Sequence, residues 1–158
     1  MSGFDFDFET TVTNTVPFAS QLRSLMDTDP TRTYYLTAAP QCPFPDIADD
    51  PILTGNVSVD AVFVQAYNNY CGLNSFVVGA AEQANFNFAV WDNWAKTVSL
   101  NPNVRIFLGV PAGATAAGSG YTTVVGLKPI VEYCKTFSSF GGVVSIVPGG
   151  CTWQTTLY

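Results

Sequence analysis

Along this chain, segments that are apolar from end to end alternate with segments whose apolar residues recur at helical spacing. Residues 33–39 (TYYLTAA), 60–67 (DAVFVQAY), 104–110 (VRIFLGV) and 142–147 read as buried strands, and the opening residues 3–9 (GFDFDFE) alternate strictly, as a half-buried strand should. Between them, residues 17–26 set Phe18, Leu22, Leu25 and Met26 on one helical face. Residues 86–99 turn Phe88, Trp91, Ala95 and Val98 inward, and residues 127–137 gather Leu127, Ile130, Val131, Cys134 and Phe137 on one side. Trp91 and Trp94, three apart on their helix, read as core rather than as a sugar platform. Strands without a polar face belong in a parallel sheet covered by helices on both sides. That pattern leaves two architectures open, a doubly wound sheet and a (β/α)8 barrel. No G-x-G-x-x-G opens a helix and no Walker sequence occurs. A complete barrel takes roughly 250 residues, so five of eight units would take about 156. The chain has 158, and its five strands and three helices therefore fit part of a barrel, as a single domain, better than a complete fold.

Composition narrows the function. Hydrophobic residues make up 47% and charged residues 11%, enough apolar surface for an ordered core. A net charge of -6 argues against nucleic acid and against anionic membrane surfaces, and leaves an uncharged polysaccharide compatible. There is no histidine, so acid–base work falls to Asp, Glu, Tyr or Cys, and Ser-His-Asp triads are excluded. The four cysteines form no C-x-x-C pair, and no metal site or cofactor is expected. The opening MSGFDF has neither the basic nor the apolar region of a signal peptide, and no apolar run approaches the length of a membrane span.

In GFDFDFE the three phenylalanines point one way and Asp5, Asp7 and Glu9 the other, with same-face neighbours about 6.5–7 Å apart. If that face is enclosed, mutual repulsion obliges at least one carboxyl to hold a proton at neutral pH. A protonated carboxyl is what a glycosidic oxygen needs in order to leave. The alternative is an edge strand with a solvated acidic face, a common guard against aggregation. Gln65 and Tyr67, two apart on one strand, share a face; on their own they could equally be an ordinary sheet pair.

Taken with its neighbours, the acidic heptad resembles the D-G-x-D-x-D-x-E signature of glycoside hydrolase family 18, in particular its hevamine-like (class III) fungal and plant endochitinases. Gly3, Asp5, Asp7 and Glu9 match the signature, and Ser2 stands where its first Asp would be. Residues 34–46 (YYLTAAPQCPFPD) resemble the family's fifth strand and following loop. VQAYNNYC (64–71) resembles its sixth-strand segment with Ala66 in place of Phe, and IFLGVPA (106–112) resembles the seventh.

The resemblance implies strands four to eight of an N-terminally truncated barrel, without the first three β/α units. It also implies substrate-assisted cleavage of β-1,4-linked N-acetylglucosamine polymers. Glu9 would be general acid and then general base, Asp7 would orient the acetamido group, and Asp5 would share charge and a proton with Asp7. Tyr67 would bond the acetamido oxygen, and Gln65, Asn68 and Ala112 would line the substrate. Cys42 and Cys71 would form a disulfide in an extracellular protein, leaving Cys134 as a core residue and Cys151 without a partner. Ile146 stands where the family's eighth strand carries a tryptophan, Trp153 follows seven residues later, and residues 145–158 do not resemble the family. The strands at 3–9 and 142–147 are both expected to be open edges. Three readings follow: an endochitinase, a non-catalytic protein that binds chitin or chito-oligosaccharides, and a self-associating half-barrel.

Overall fold

A computed structural model describes the backbone of residues 3–147 and 150–156, and the side chains of residues 3–147. Its centre is one sheet in which β1 (Gly3–Phe6), β2 (Tyr35–Ala38), β3 (Ala61–Gln65), β4 (Arg105–Pro111) and β5 (Phe140–Val147) lie side by side in chain order, all parallel. Each parallel step is a crossover. The crossings carry α1 (Thr15–Asp27), the short α2 (Asp50–Leu53), α3 (Phe88–Thr97) and α4 (Val124–Cys134). Sequential order with a crossover at every step is how a barrel wall is built, since each strand is laid beside the last with the same hand.

The apolar strands bury as expected. Leu36, Val62, Ile106 and Val144 are fully buried, and Trp91 and Trp94 of α3 join them in the core. The two indoles also fasten loops: Trp91 Nε1 donates to the Cys42 carbonyl at 3.1 Å, and Trp94 Nε1 donates to the Leu53 carbonyl at 3.2 Å. Cys134 is a buried free thiol in α4, and burial pushes its pKa well above the ordinary thiol range.

Three expectations change. Residues 142–147 are not an edge: β6 (Gly150–Thr156) pairs with β5 antiparallel, so the described sheet ends at β1 on one side and β6 on the other. The apolar face of α1 is only partly used. Thr15, Ala19 and Met26 are buried, while Phe18 and Leu25 are 61% and 58% exposed. Periodicity sets which residues share a face, but burial needs a neighbour, and Phe18 makes only a ring-edge contact with Phe6 of β1 among the aromatic contacts of the described residues. Val98, read as inward, lies just past the end of α3 and is exposed. Ser2 and the side chains of Cys151 and Trp153 fall outside the described residues.

Candidate active site

Strand β1 ends earlier than its alternation suggests. Phe6 pairs with Ala38, and the Ala39 N–H donates to the Phe6 carbonyl at 2.7 Å. Pro40 faces β3, its carbonyl accepting from the Gln65 N–H at 2.9 Å, and the next N–H on the β1 side, that of Gln41, donates instead to Asp46 Oδ2 at 3.2 Å. Asp7 and Glu9 therefore lie on the chain leaving the strand. Phe6 is buried and Phe8 half-buried, while Asp5, Asp7 and Glu9 are all exposed. The acidic face, which the sequence reading left as either enclosed or solvated, is open here, and no strand flanks β1 on its outer side among the described residues.

The acids still act on one another. Asp5 accepts a hydrogen bond from the Thr37 hydroxyl of β2 at 2.5 Å. Its carboxyl end is desolvated although the residue as a whole is exposed. Desolvation, opposed by the Thr37 bond and helped by the charge of Asp7, pushes its pKa up to about 6. Asp7 is also raised, first by desolvation and then by the charge of Glu9, against a hydrogen bond from Gln65 that holds it down. Asp5, Asp7 and Glu9 thus form one electrostatically linked run.

Gln65, the last residue of β3, is buried at the C-terminal end of the sheet. Its Nε2 donates to Asp7 Oδ1 at 2.9 Å and to the Ala39 carbonyl at 2.7 Å, tying β1, β2 and β3 together where the acids emerge. Tyr67 follows two residues later and is buried. Gly120, at φ +93°, packs on it so closely that a Cβ there would sit 2.8 Å from the Tyr67 Cα. Asn68 takes a left-handed turn at φ 58°, and its Oδ1 accepts from the Ser119 N–H at 3.0 Å, anchoring the loop after β4. Ala112 is exposed just past β4, its N–H donating to the Ile146 carbonyl at 2.8 Å. All these residues lie at the strands' C-terminal ends, the end at which parallel barrels carry their chemistry.

Cys42 and Cys71 are joined by a disulfide, with Cα atoms 5.9 Å apart, linking the loops after β2 and β3. Asn69 Nδ2 adds a second tie between the same loops, donating to Gln41 Oε1 at 2.9 Å.

Two residues here escaped the sequence reading. Asp46 is buried and accepts from the N–H groups of Gln41, Ala48 and Asp49, folding the proline-rich loop around its carboxylate. Asp49 is fully buried beside it. The string PFPDIADD carried the signal, since an Asp shortly before a new helix commonly organises backbone N–H groups. Among the described residues no group of three or more His, Cys, Asp or Glu could hold a metal ion, and no helix is long and apolar enough to cross a membrane.

Comparison with known proteins bears on the family and the fold. The sequence profile of Glycosyl hydrolases family 18 matches residues 1–139. A "Class III chitinase" of Arthroderma benhamiae is 56% identical over 144 residues, covering 91% of this chain and 44% of that protein. "Endochitinase 33" of Trichoderma harzianum is 44% identical over the same shares. The chain thus spans less than half the length of these relatives. Among solved structures, the ICChI chitinase of Ipomoea carnea superposes with a TM-score of 0.71 at 27% identity, covering 93% of this chain and 51% of that one. A tamarind chitinase-like lectin does so at 0.69 and 26%, over the same shares. A xylanase and α-amylase inhibitor protein of Scadoxus multiflorus gives 0.72 and 28%, covering 92% of this chain and 50% of its own. The five parallel strands are accordingly part of a (β/α)8 barrel, and the chain belongs to glycosyl hydrolase family 18.

Proposed function

We propose that this chain carries the catalytic acids of an extracellular endochitinase-like enzyme that hydrolyses β-1,4-linked N-acetylglucosamine polymers with retention of configuration. In this reading Glu9 protonates the glycosidic oxygen as the C–O bond breaks. The sugar's own acetamido oxygen attacks the anomeric carbon, so no enzyme nucleophile is required. Asp7, held by Gln65, orients the acetamido group and balances the oxazolinium charge, and Asp5 shares a proton with Asp7. Tyr67 bonds the acetamido oxygen, and Gln65, Asn68 and Ala112 line the sugar. Glu9, now a carboxylate, then takes a proton from the water that attacks the same carbon, which restores its acid form.

The observation that carries the reading is the Gln65–Asp7 hydrogen bond, which joins the two motif-bearing strands at the sheet's C-terminal end. Relatives named as chitinases support the substrate class. A fluorogenic chito-oligosaccharide assay tests it: turnover by the chain, abolished by Glu9→Gln, supports the enzyme.

A second reading is favoured by the exposure of all three acids, which weakens the enclosure that an acid catalyst needs. On it the protein binds chito-oligosaccharides without cleaving them, and the likeness in fold to a tamarind chitinase-like lectin supports it. Binding unchanged by Glu9→Gln, with no turnover in either form, would favour it.

A further inference from the structure

Tyr67 is held from two sides. On one it continues β3, where the Ala66 N–H donates to the Gly109 carbonyl of β4 at 3.0 Å and the Ala66 carbonyl accepts from the Leu73 N–H at 2.9 Å. On the other comes the loop between β4 and α4, residues 112–123. Two hydrogen bonds seat that loop, and both join the same pair of residues. The Asn68 N–H donates to the Ser119 carbonyl at 3.2 Å, and the Ser119 N–H donates to Asn68 Oδ1 at 3.0 Å. Asn68 closes this ring from its left-handed turn at φ 58°, a conformation that asparagine tolerates better than most residues.

The next residue of the loop, Gly120, is buried directly against the tyrosine backbone. A Cβ on it would sit 2.8 Å from Tyr67 Cα, 3.0 Å from Tyr67 Cβ and 3.1 Å from the Ala66 carbonyl oxygen, and its φ of +93° is one that side chains disfavour. Gly113, earlier in the same loop, differs on both counts: a Cβ there meets nothing within 4 Å, and its φ lies outside the left-handed region.

We propose that Gly120 is a positioning residue for Tyr67: clamped by the Asn68–Ser119 pair, its bare backbone is the surface against which the tyrosine stands, and the loop after β4 thereby sets where the phenol lies. The proposal rests on the catalytic reading for the phenol's task alone, its bond to the acetamido oxygen. The atoms that a Cβ would strike are Tyr67's own Cα and Cβ and the carbonyl before them, so no flexible side-chain end can give way. Relief requires the tyrosine or the loop to move. The hydroxyl stands far out from Cα, so a small tilt at Cα becomes a larger displacement at the hydroxyl.

The test is carbon NMR of the whole 158-residue chain labelled at tyrosine Cζ, with Tyr67→Phe to assign the resonance. The Tyr67 signal is expected to shift or split in Gly120→Ala and to stay at its parent position in Gly113→Ala. A signal unmoved in Gly120→Ala, or moved as far by Gly113→Ala, overturns the proposal. If Gly120→Ala fails to fold, Asn68→Gly, which keeps the left-handed turn and removes the Oδ1 acceptor, is judged by the same criterion. On a fluorogenic chito-oligosaccharide, Gly120→Ala is expected to lower kcat by about 10-fold or more, with KM changed by less than about twofold. In a Tyr67→Phe background the same substitution is expected to cost almost nothing further, since the group it misplaces is already gone. An equal loss in both backgrounds is what a merely structural glycine would give, and it overturns the proposal. The NMR readout needs no turnover, so a chain without activity but with a displaced Tyr67 signal would count against the catalytic reading alone.

Discussion

The side-chain amide of Gln65 donates to Asp7 at 2.9 Å and, with the same nitrogen, to the Ala39 carbonyl at 2.7 Å. One residue of β3 thereby fixes both the chain leaving β1 and the chain leaving β2. Replacing it with leucine keeps the volume and removes both bonds, leaving a buried carbonyl unpaired. Gln65→Leu is expected to destabilise the fold by about 1–3 kcal/mol, measured by urea unfolding. Because the Gln65 bond holds Asp7 down, its loss is also expected to move the Asp7 titration to higher pH.

The Cys42–Cys71 bridge closes a loop of sequence separation 29 between the two loops that carry Gln41 and Tyr67. Chain-entropy arguments give a bridge of that span about 3–4 kcal/mol. Cys42→Ser is expected to lower the unfolding free energy by about that amount, and addition of reductant to the unsubstituted chain should do the same. A variant as stable as the parent would mean that the Asn69–Gln41 bond and the indole contacts of α3 already hold these loops.

Asp49 also makes stability depend on pH. Its folded pKa is raised from 3.8 to about 8, so the folded state binds its proton more tightly than the unfolded chain does. The stabilisation is fully present below the unfolded pKa and is lost as pH rises through the folded one. Within that window one group can contribute a slope of at most about 1.4 kcal/mol per pH unit. Asp5, raised to about 6, acts in the same direction over a narrower window, reduced by its exposure to water. Unfolding free energy is therefore expected to fall from pH 5 towards pH 8, and Asp49→Asn is expected to flatten that fall. Equal slopes in the two proteins would contradict this assignment.

Part of the chain's exposed apolar surface gathers around β1. Phe4 and Tyr35 on the paired strands are 47% and 54% exposed, beside the uncovered Phe18 and Leu25 of α1. An unpaired strand edge next to apolar side chains is a template for association. Light scattering across a concentration series is expected to show self-association, reduced by Phe18→Lys. A monomer at every concentration would rule this out.

These particulars show what was legible in the sequence. β2 to β5 are readable because they are apolar runs, each with fully buried residues such as Leu36, Val62, Ile106 and Val144, and α3 because Trp91 and Trp94 are buried in the core. The face of α1 was read from spacing, but exposure of Phe18 and Leu25 depends on which neighbour is present, and spacing carries no information about that. The end of β1 was misjudged because alternation through Glu9 is a property of one strand, whereas pairing stops with its partner at Ala38. β6 escapes the reading although its pairing with β5 is local, Val147 opposite Gly150, and Pro-Gly-Gly at 148–150 is a turn signal: residues 150–156 carry too few apolar side chains in a run to mark a buried strand. Of the site, the acids and Gln65 could be named from motif and spacing. Asp49 could not, since its importance lies in being buried without a partner, which only packing decides.

Turnover of a fluorogenic chito-oligosaccharide by the chain and by Glu9→Gln bears most directly on the central claim, that the acids leaving β1 perform the chemistry. The unsubstituted chain is expected to release the fluorophore, and Glu9→Gln to slow that release by about 10²–10⁴-fold, the usual contribution of a general acid–base group. Release at the same rate in both proteins, or none in either, would contradict it.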